Sequence, residues 1–518
     1  MSLRTLSDIK LSIGTSEEEL VKLATKKLGK KPTYFAIKKK SLDARNKSDL
    51  KYIYTIEFSN EIPPEKPAFQ RLPKNKLPQK RVAVIGSGPA GLFCALRLIE
   101  RGVAPLVIER GANVEEREKD ISAFIETKTL NPQSNVQFGE GGAGTFSDGK
   151  LNTQTHSPIN REVLETFVRF GAPEEILWLN KPHIGSDNLK KVVKNMREYI
   201  LANGGEVGFN TRLTDIKIKN GKVERITVKS TKGETEMEVS ALVLAIGHSA
   251  RDTFELLQTR GLKMTAKDFA VGVRIEHLQG AIGFSQYGAS YKKLPAADYK
   301  LVSHVSDRAA FTFCMCPGGF VMPATSEAGG VVTNGMSNYA RNETNANAAL
   351  IAQVYKSDFG QDFEKNPLAG VEFQRAIERK AFEMGGGAYR APVQLVGDFL
   401  KGRTSDKFGA VTPTYASGTT FADLGAVLPS FITQTLKRAI VDMDKRLKGF
   451  ADPEAVLTAA ETRTSSPVRI ERGEDMQSVS VKCVYPCGEG AGYAGGITSS
   501  AADGIRVAEA IYAALLEN

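Results

Sequence analysis

Apolar positions change their period along this chain, and each change marks an element. Ile9, Leu11 and Ile13 alternate with polar residues as one face of a strand, while Leu20, Val21, Ala24 and Leu28 recur at helical spacing. Ser16 and Glu19 stand at capping-box spacing ahead of that helix. Residues 34–37 and 52–58 predict further strands, so the first 60 residues read as a small α+β unit. Between 61 and 80 lie prolines 63, 64, 67, 73 and 78. Proline gives a sheet no donor and holds its predecessor extended, which predicts a linker. Beyond it Val82, Val84 and Ile85 form a short apolar run, and Ala90, Leu92, Ala95, Leu96 and Ile99 share a helical face. Residues 106–108 form a second apolar run.

Farther on, the pattern predicts a helix over 161–170, an amphipathic segment over 188–203 and strands over 206–210, 213–219 and 223–230, with a turn at Asn220-Gly221. Residues 241–246 read as a buried strand closing on Gly247. From 256 strands, glycine turns and helices alternate until a last strand at 479–485 and a last helix over 504–516.

The segment RVAVIGSGPAGLFCALRLIERGVAPLVIER (81–110) carries the most specific chemistry. Gly86, Gly88 and Gly91 stand at G-x-G-x-x-G spacing, with Ser87, Pro89 and Ala90 completing the turn. Such glycines serve a tight turn, close approach of a pyrophosphate, and close helix–strand packing. The helix that follows presents free N–H groups and its positive end to phosphate. Glu109 ends the second strand 23 positions after Gly86, where a carboxylate can accept ribose hydroxyls, and Arg110 follows it. A second glycine-rich stretch, GEGGAGTFSDGKL (139–151), places Gly141, Gly142 and Gly149 beside Asp148 and Lys150. A third, VYPCGEGAGYAGGITSS (484–500), brings Gly488 and Glu489, then Gly495, Gly496 and Ile497 where a helix opens. A nicotinamide site needs only the first turn. A flavin also needs distant contacts for its ribityl chain and ring: Glu489 suits a hydroxyl, and the later helix can aim its positive end at the ring's N1–C2=O edge.

Taken with KKKSLDAR (38–45), FCMCPGGFV (313–321), GGGAYRAPVQ (385–394) and ETRTSSPVRI (461–470), these motifs give the chain a resemblance over nearly its whole length. It resembles the bacterial family of predicted FAD-utilising dehydrogenases, whose FAD domain is of the glutathione-reductase/p-hydroxybenzoate-hydroxylase type. That resemblance implies an α/β plus α+β fold. A discontinuous Rossmann-like FAD-binding domain would occupy 81–255 and 475–518, and an inserted mixed α+β substrate or cap domain 256–474. A small basic N-terminal domain (1–60) and a proline-rich linker (61–80) would precede them. By likeness to related flavoproteins, Leu213 would lie beside adenine through its backbone, and Gly247 would close the AMP end. The activity implied is hydride transfer between an unidentified small molecule and flavin.

Two groups are candidates for catalysis, Cys316 in FCMCPGG and Arg463 in ETRTSSPVRI. The first could instead be an inert strand thiol, and the second could clamp a substrate carboxylate or tie the inserted domain to the FAD domain. Spacing predicts no metal site. No second strand–GxGxxG–helix unit follows, which leaves three electron partners open: the substrate itself, transiently bound NAD(P)H, or a protein carrier.

Composition alters this picture in one place. Hydrophobic content of 41% and charged content of 25% are those of a globular protein, and no apolar run reaches the roughly 18 residues of a membrane span. Five scattered cysteines and the absence of a signal-peptide pattern predict the cytoplasm. The net charge of +10 is lopsided, however, for residues 1–80 hold 18 Lys+Arg against 9 Asp+Glu. Solvated lysines account for that, but it also allows an RNA-modifying flavoenzyme with a basic foothold. A non-catalytic FAD-binding sensor is the third reading.

Overall fold

The computed structural model describes residues 3–64, 81–153, 155–360 and 363–517. From residue 65 onward, the linker expected over 61–80 lies outside the described residues. The chain opens with β1 (Arg4–Ser12), α1 (Glu18–Leu28), β2 (Tyr34–Asp43) and β3 (Lys51–Ser59), an antiparallel sheet of order β1-β3-β2. Leu20 and Ala24 of α1 pack on Tyr54, Ile56 and Phe58. The expected capping box does not form. Glu17 takes the cap position, which puts Ser16 one residue too early, and Glu19 turns outward to Lys22.

Next come β4 (Val82–Ile85), α2 (Pro89–Glu100), β5 (Pro105–Ile108), α3 (Val114–Thr127), α4 (Pro158–Arg169), α5 (Ser186–Ala202) and β6 (Glu206–Gly208). A meander, β7 (Arg212–Lys219), β8 (Lys222–Ser230) and β9 (Gly233–Glu238), leads to β10 (Ala241–Leu244), α6 (Arg251–Thr259) and β11 (Met264–Ala266).

The third stretch runs β12 (Phe269–Leu278), α7 (Gln279–Tyr287), β13 (Val302–Ser303), β14 (Ala310–Cys316), β15 (Phe320–Pro323), β16 (Thr333–Met336), β17 (Asn345–Val354) and α8 (Ala369–Met384). It continues through β18 (Ala391–Leu395), α9 (Val396–Lys401), β19 (Thr419–Phe421), α10 (Ser430–Asp444) and β20 (Val456–Glu461), and the chain closes with β21 (Val468–Ile470), β22 (Val484–Pro486) and α11 (Ile497–Glu517).

Two large sheets result. One is parallel throughout, in the order β22-β10-β4-β5-β6. Each of the four residues of β4 is buried, as expected of a strand covered on both faces. Val82 and Val84 point into the core shared with α2, α4, α5 and α11, and Ala83 and Ile85 into the core under the β7–β9 meander. The arrangement is a Rossmann-like α/β unit completed by β22 and α11 from the far end of the chain. The other sheet is mixed, ordered β13-β14-β17-β12-β20-β18-β19, with its main core against α10 and α8. The antiparallel pair β11–β21 links the two.

The strand expected over 479–485 shrinks to β22. The Ser478 N–H donates to the Val484 carbonyl at 2.7 Å and Cys483 takes a φ of +62°, so 479–483 folds into a loop rather than extending. Among the described residues no helix is long and apolar enough to cross a membrane.

Candidate functional site

In an open parallel sheet, the crevice for a ligand lies beyond the carboxyl ends of the strands, where neighbouring connections diverge. Here that point is the end of β4, flanked by β5 and β10. A cavity of about 320 Å³ opens there. It is walled by the turns after β4, β5, β10 and β22, the 137–152 loop, the start of α11, and residues of the mixed sheet.

The three fingerprint glycines have different surroundings. A Cβ on Gly86 (φ +103°) would meet the Ala245 carbonyl oxygen at 2.3 Å, and one on Gly91 would meet the Gly86 carbonyl oxygen at 1.9 Å. These two are fixed by the protein's own packing. Gly88 has only the Gly142 Cα, at 3.8 Å, so its open side faces the cavity, as do Gly247, Gly495 and Gly496, where an added Cβ would meet nothing within 4 Å.

Glu109 lines the cavity with its carboxylate bonded throughout to the chain. Oε2 accepts the Ser87 N–H and Oγ–H at 2.9 and 2.8 Å, and Oε1 accepts the N–H groups of Gly111 and Gly139 at 2.9 and 3.0 Å. Four donors match a carboxylate's four lone-pair sites, so Glu109 braces both glycine turns. Arg110 lies over the Phe138 ring and donates to Asp252 at 2.8 Å.

Around the remaining wall, Pro89, Ala90, Gly142, Asp148, Gly149, Lys150, Leu213, Glu489 and Ile497 line the cavity. Asp148 is buried and gripped by Arg341 through Nε at 2.9 Å and Nη2 at 2.5 Å, and by the Ser337 hydroxyl. Burial would raise its carboxyl, but Lys150 and Arg341 together hold it well below the usual range. The Glu489 carboxylate accepts no hydrogen bond from the described residues, and burial pushes it up to about 7 with Lys267 opposing. Thr498 Oγ1 donates to the Leu151 carbonyl at 2.8 Å, which docks the glycine-rich loop on the first turn of α11.

Four of the expected contact residues stand behind the wall instead. Ser87 spends its N–H and hydroxyl on Glu109, and Gly91 packs under the turn. The Gly141 N–H donates to the Ser87 carbonyl, and the Gly488 N–H donates to Asp503 at 2.8 Å.

Of the catalytic candidates, Cys316 is fully buried outside the cavity lining, and burial pushes its thiol up to about 12. Cys314 lines the cavity, at a bulge where its φ is +44° and its carbonyl accepts Arg274 Nη2 at 2.6 Å. An irregularity in pairing carries no sequence signature, so the sequence alone does not tell which of the two cysteines reaches the cavity. Arg463 does line the cavity, but its Nε and Nη2 donate to Glu378 at 3.1 and 3.0 Å and its Nη1 donates to Ser326. Glu378 also pairs with Arg251. This buried cluster joins α6, α8 and the segment after β20.

Sequence reasoning missed Gln137, Ser249, Phe313, Asn334 and Glu461 as wall residues. His248 lines the cavity beside Gly247; burial, then Arg463 and Arg251, push it down to about 3, so it is a neutral imidazole.

Comparison with known proteins adds three domain matches and one full-length relative. A model described as FAD binding domain matches residues 79–131, and one described as FAD-dependent protein, C-terminal domain-like matches 268–464. A domain of unknown function matches 4–59. An uncharacterized protein of Clostridium beijerinckii is 45% identical over 528 residues, covering 98% of either chain. Solved structures are far looser likenesses. A geranylgeranyl bacteriochlorophyll reductase-like protein of Thermoplasma acidophilum is 11% identical with a TM-score of 0.38, over 85% of this chain and 79% of its own. A flavin-dependent brominase is 15% identical with a TM-score of 0.40, over 85% and 80%. At such scores neither carries an argument about this chain.

Proposed function

The chain belongs to a family of FAD-dependent proteins, and from that membership we propose that it is an FAD-dependent oxidoreductase moving a hydride between a small organic molecule and flavin. FAD is its cofactor. The observation that carries the reading is a single cavity that starts as a nucleotide cradle at β4 and ends against a wall of the mixed sheet.

The residues fit FAD on several counts. Gly88, Gly247, Gly495 and Gly496 leave open space where a Cβ would intrude. The N-terminus of α2, with Pro89 at its first position and no side chain capping it, is open to a pyrophosphate. Glu489 has acceptor capacity for a hydroxyl, and the 21-residue helix α11, packed along α2, brings its positive end to the cavity. FAD supplies a ring that takes up or gives out a hydride. The protein holds and orients it, with Gly86, Glu109 and Gly142 shaping the turns, Leu213 and Gly247 at one end, and Glu489 and Ile497 at the other.

On this reading residues 81–255 and 475–518 make the FAD-binding part, and 256–474 supplies the substrate wall through Phe313, Cys314, Asn334 and Glu461. The five free cysteines support a cytoplasmic setting.

Gly88→Val tests the cradle. The purified variant is expected to lose bound flavin, because the side chain would occupy the open space beside Gly142, while its fold, read by circular dichroism, persists. A wild-type protein that is colourless and refuses FAD overturns the reading. Anaerobic titration with candidate metabolites, NADH and NADPH then separates an enzyme from a sensor, whose flavin would respond to dithionite alone.

A further inference from the structure

Lys150 brings to the cavity wall a buried cation whose bonding is incomplete. Its backbone is fixed on both sides: Lys150 bridges His183, the Leu151 N–H donates to the Pro182 carbonyl at 3.0 Å, and the Leu151 carbonyl accepts Thr498. Its Nζ is buried and stands 3.1 Å from Asp148 Oδ2, off the hydrogen-bonding direction, and it donates no hydrogen bond to the described residues. On Asp148, Oδ1 takes Arg341 Nε and Ser337 and Oδ2 takes Arg341 Nη2, which leaves at most one acceptor site for an ammonium with three N–H groups. A buried ammonium with unmet N–H groups is costly, and such a group in a cavity wall marks the place of an acceptor that the protein does not supply.

Charge points the same way. Lys150 and Arg341 face one carboxylate, Asp148, so this corner carries one surplus positive charge. The nearby His183 does not change the balance: burial pushes it down to about 4, and its neutral ring stacks on Tyr339. The Glu461 carboxylate is matched by Arg274 at 3.0 Å. The Arg463 guanidinium is matched by Glu378 at 3.0 Å, and the Phe313 ring, 37% exposed, lines the wall with Cys314 and Asn334.

We infer that Lys150 receives the acid group of the substrate, and that the substrate is an organic carboxylic acid whose apolar body lies toward Phe313. This rests on the flavoenzyme reading above. One surplus positive charge suits a single carboxylate; a phosphate monoester, at about −1.5 to −2, would bring more charge than the corner can match.

The test uses the FAD-bound wild type, Lys150→Met and Lys150→Arg, titrated with benzoate, hexanoate, benzamide and phenyl phosphate while the flavin absorbance is followed. Benzoate or hexanoate should perturb the wild-type flavin. Lys150→Met should weaken that acid about 10- to 100-fold, the range of a charged hydrogen bond, and leave benzamide unchanged. Lys150→Arg should recover most of the binding, and all three proteins should hold equal FAD.

The inference is overturned if neither acid perturbs the wild type, if Lys150→Met binds the acid as tightly, if benzamide weakens equally, or if phenyl phosphate binds best. It is also overturned if Lys150→Met alone loses FAD, which would assign Lys150 to the cofactor and leave the flavoenzyme reading standing. A wild type without FAD would instead sink the flavoenzyme reading itself.

Discussion

Single residues in this cavity are tuned by what lies around them, and Glu489 shows the consequence most directly. Burial raises its carboxyl from the usual 4.5 to about 7, so the folded, flavin-free protein favours the protonated form. The sign follows: relative to the unfolded chain, this group's contribution is intact at pH values below the usual carboxylate range. It is lost as the pH climbs through about 7. Glu489→Gln cannot ionise and removes that loss. The flavin-free variant should therefore lose about 2 kcal/mol less stability than wild type between roughly pH 5 and pH 8, a figure kept modest because the residue is partly exposed. Urea midpoints across that range check it, and parallel slopes for the two proteins would refute it. Arg463 teaches the complementary lesson. The sequence leaves its guanidinium open as a substrate clamp or as a tie between the domains, and three of its N–H groups are committed to Glu378 and Ser326.

At the scale of elements, the same cluster sets how the two sheets are joined. Glu378 on α8 takes both Arg251 of α6 and Arg463 beyond β20, and these arginines hold its carboxyl far below the usual range although burial opposes them. Glu378→Ala would leave two buried guanidinium groups facing each other. It should cost about 3–5 kcal/mol, read as a lower thermal midpoint, with Glu378→Gln retaining part of the shape but none of the charge. A loss near zero would mean that the β11–β21 pair alone carries the junction.

Elements of this kind were unevenly legible in the sequence. The β4–α2–β5 unit was legible because its periodicity, glycines and terminal acid all lie within 30 residues and act locally. The order of the mixed sheet was not, since β14, β17, β12 and β20 pair across long stretches of chain and no local pattern encodes the partner. β9, GETEME, was passed over because it is a polar edge strand exposed along most of its length. In the site, the glycine turns announced themselves, whereas Asn334 of the β15–β16 pair and Glu461 of the mixed sheet reach the cavity only through long-range folding.

The whole molecule leaves one part energetically apart. The N-terminal module has its own core of Leu20, Ala24, Tyr54, Ile56 and Phe58, which shares no member with the cores of the other sheets. It meets the body by main-chain pairing: the Lys40 N–H donates to the Trp178 carbonyl at 2.8 Å, and the Asn180 N–H to the Lys40 carbonyl at 3.0 Å. Two such bonds contribute about 1 kcal/mol each, too little for the FAD-binding fold to depend on the module. An RNA foothold would also need exposed aromatic rings, but Tyr54 is buried, and Phe35 and Tyr52 pack against the same core, with Lys40 lying over Tyr52. The excess within residues 1–60, 13 Lys+Arg against 7 Asp+Glu, is therefore read as solvated side chains on a separable unit.

Trp178 is the chain's one tryptophan and its carbonyl accepts the Lys40 N–H, so its fluorescence reports from the neighbourhood of that contact. Removing residues 1–60 should expose the indole and shift its emission to the red, while the flavin absorbance per mole of protein stays at the full-length value. If the truncated protein instead came out colourless, the module would be part of the cofactor site, and its separate core would be a coincidence of packing.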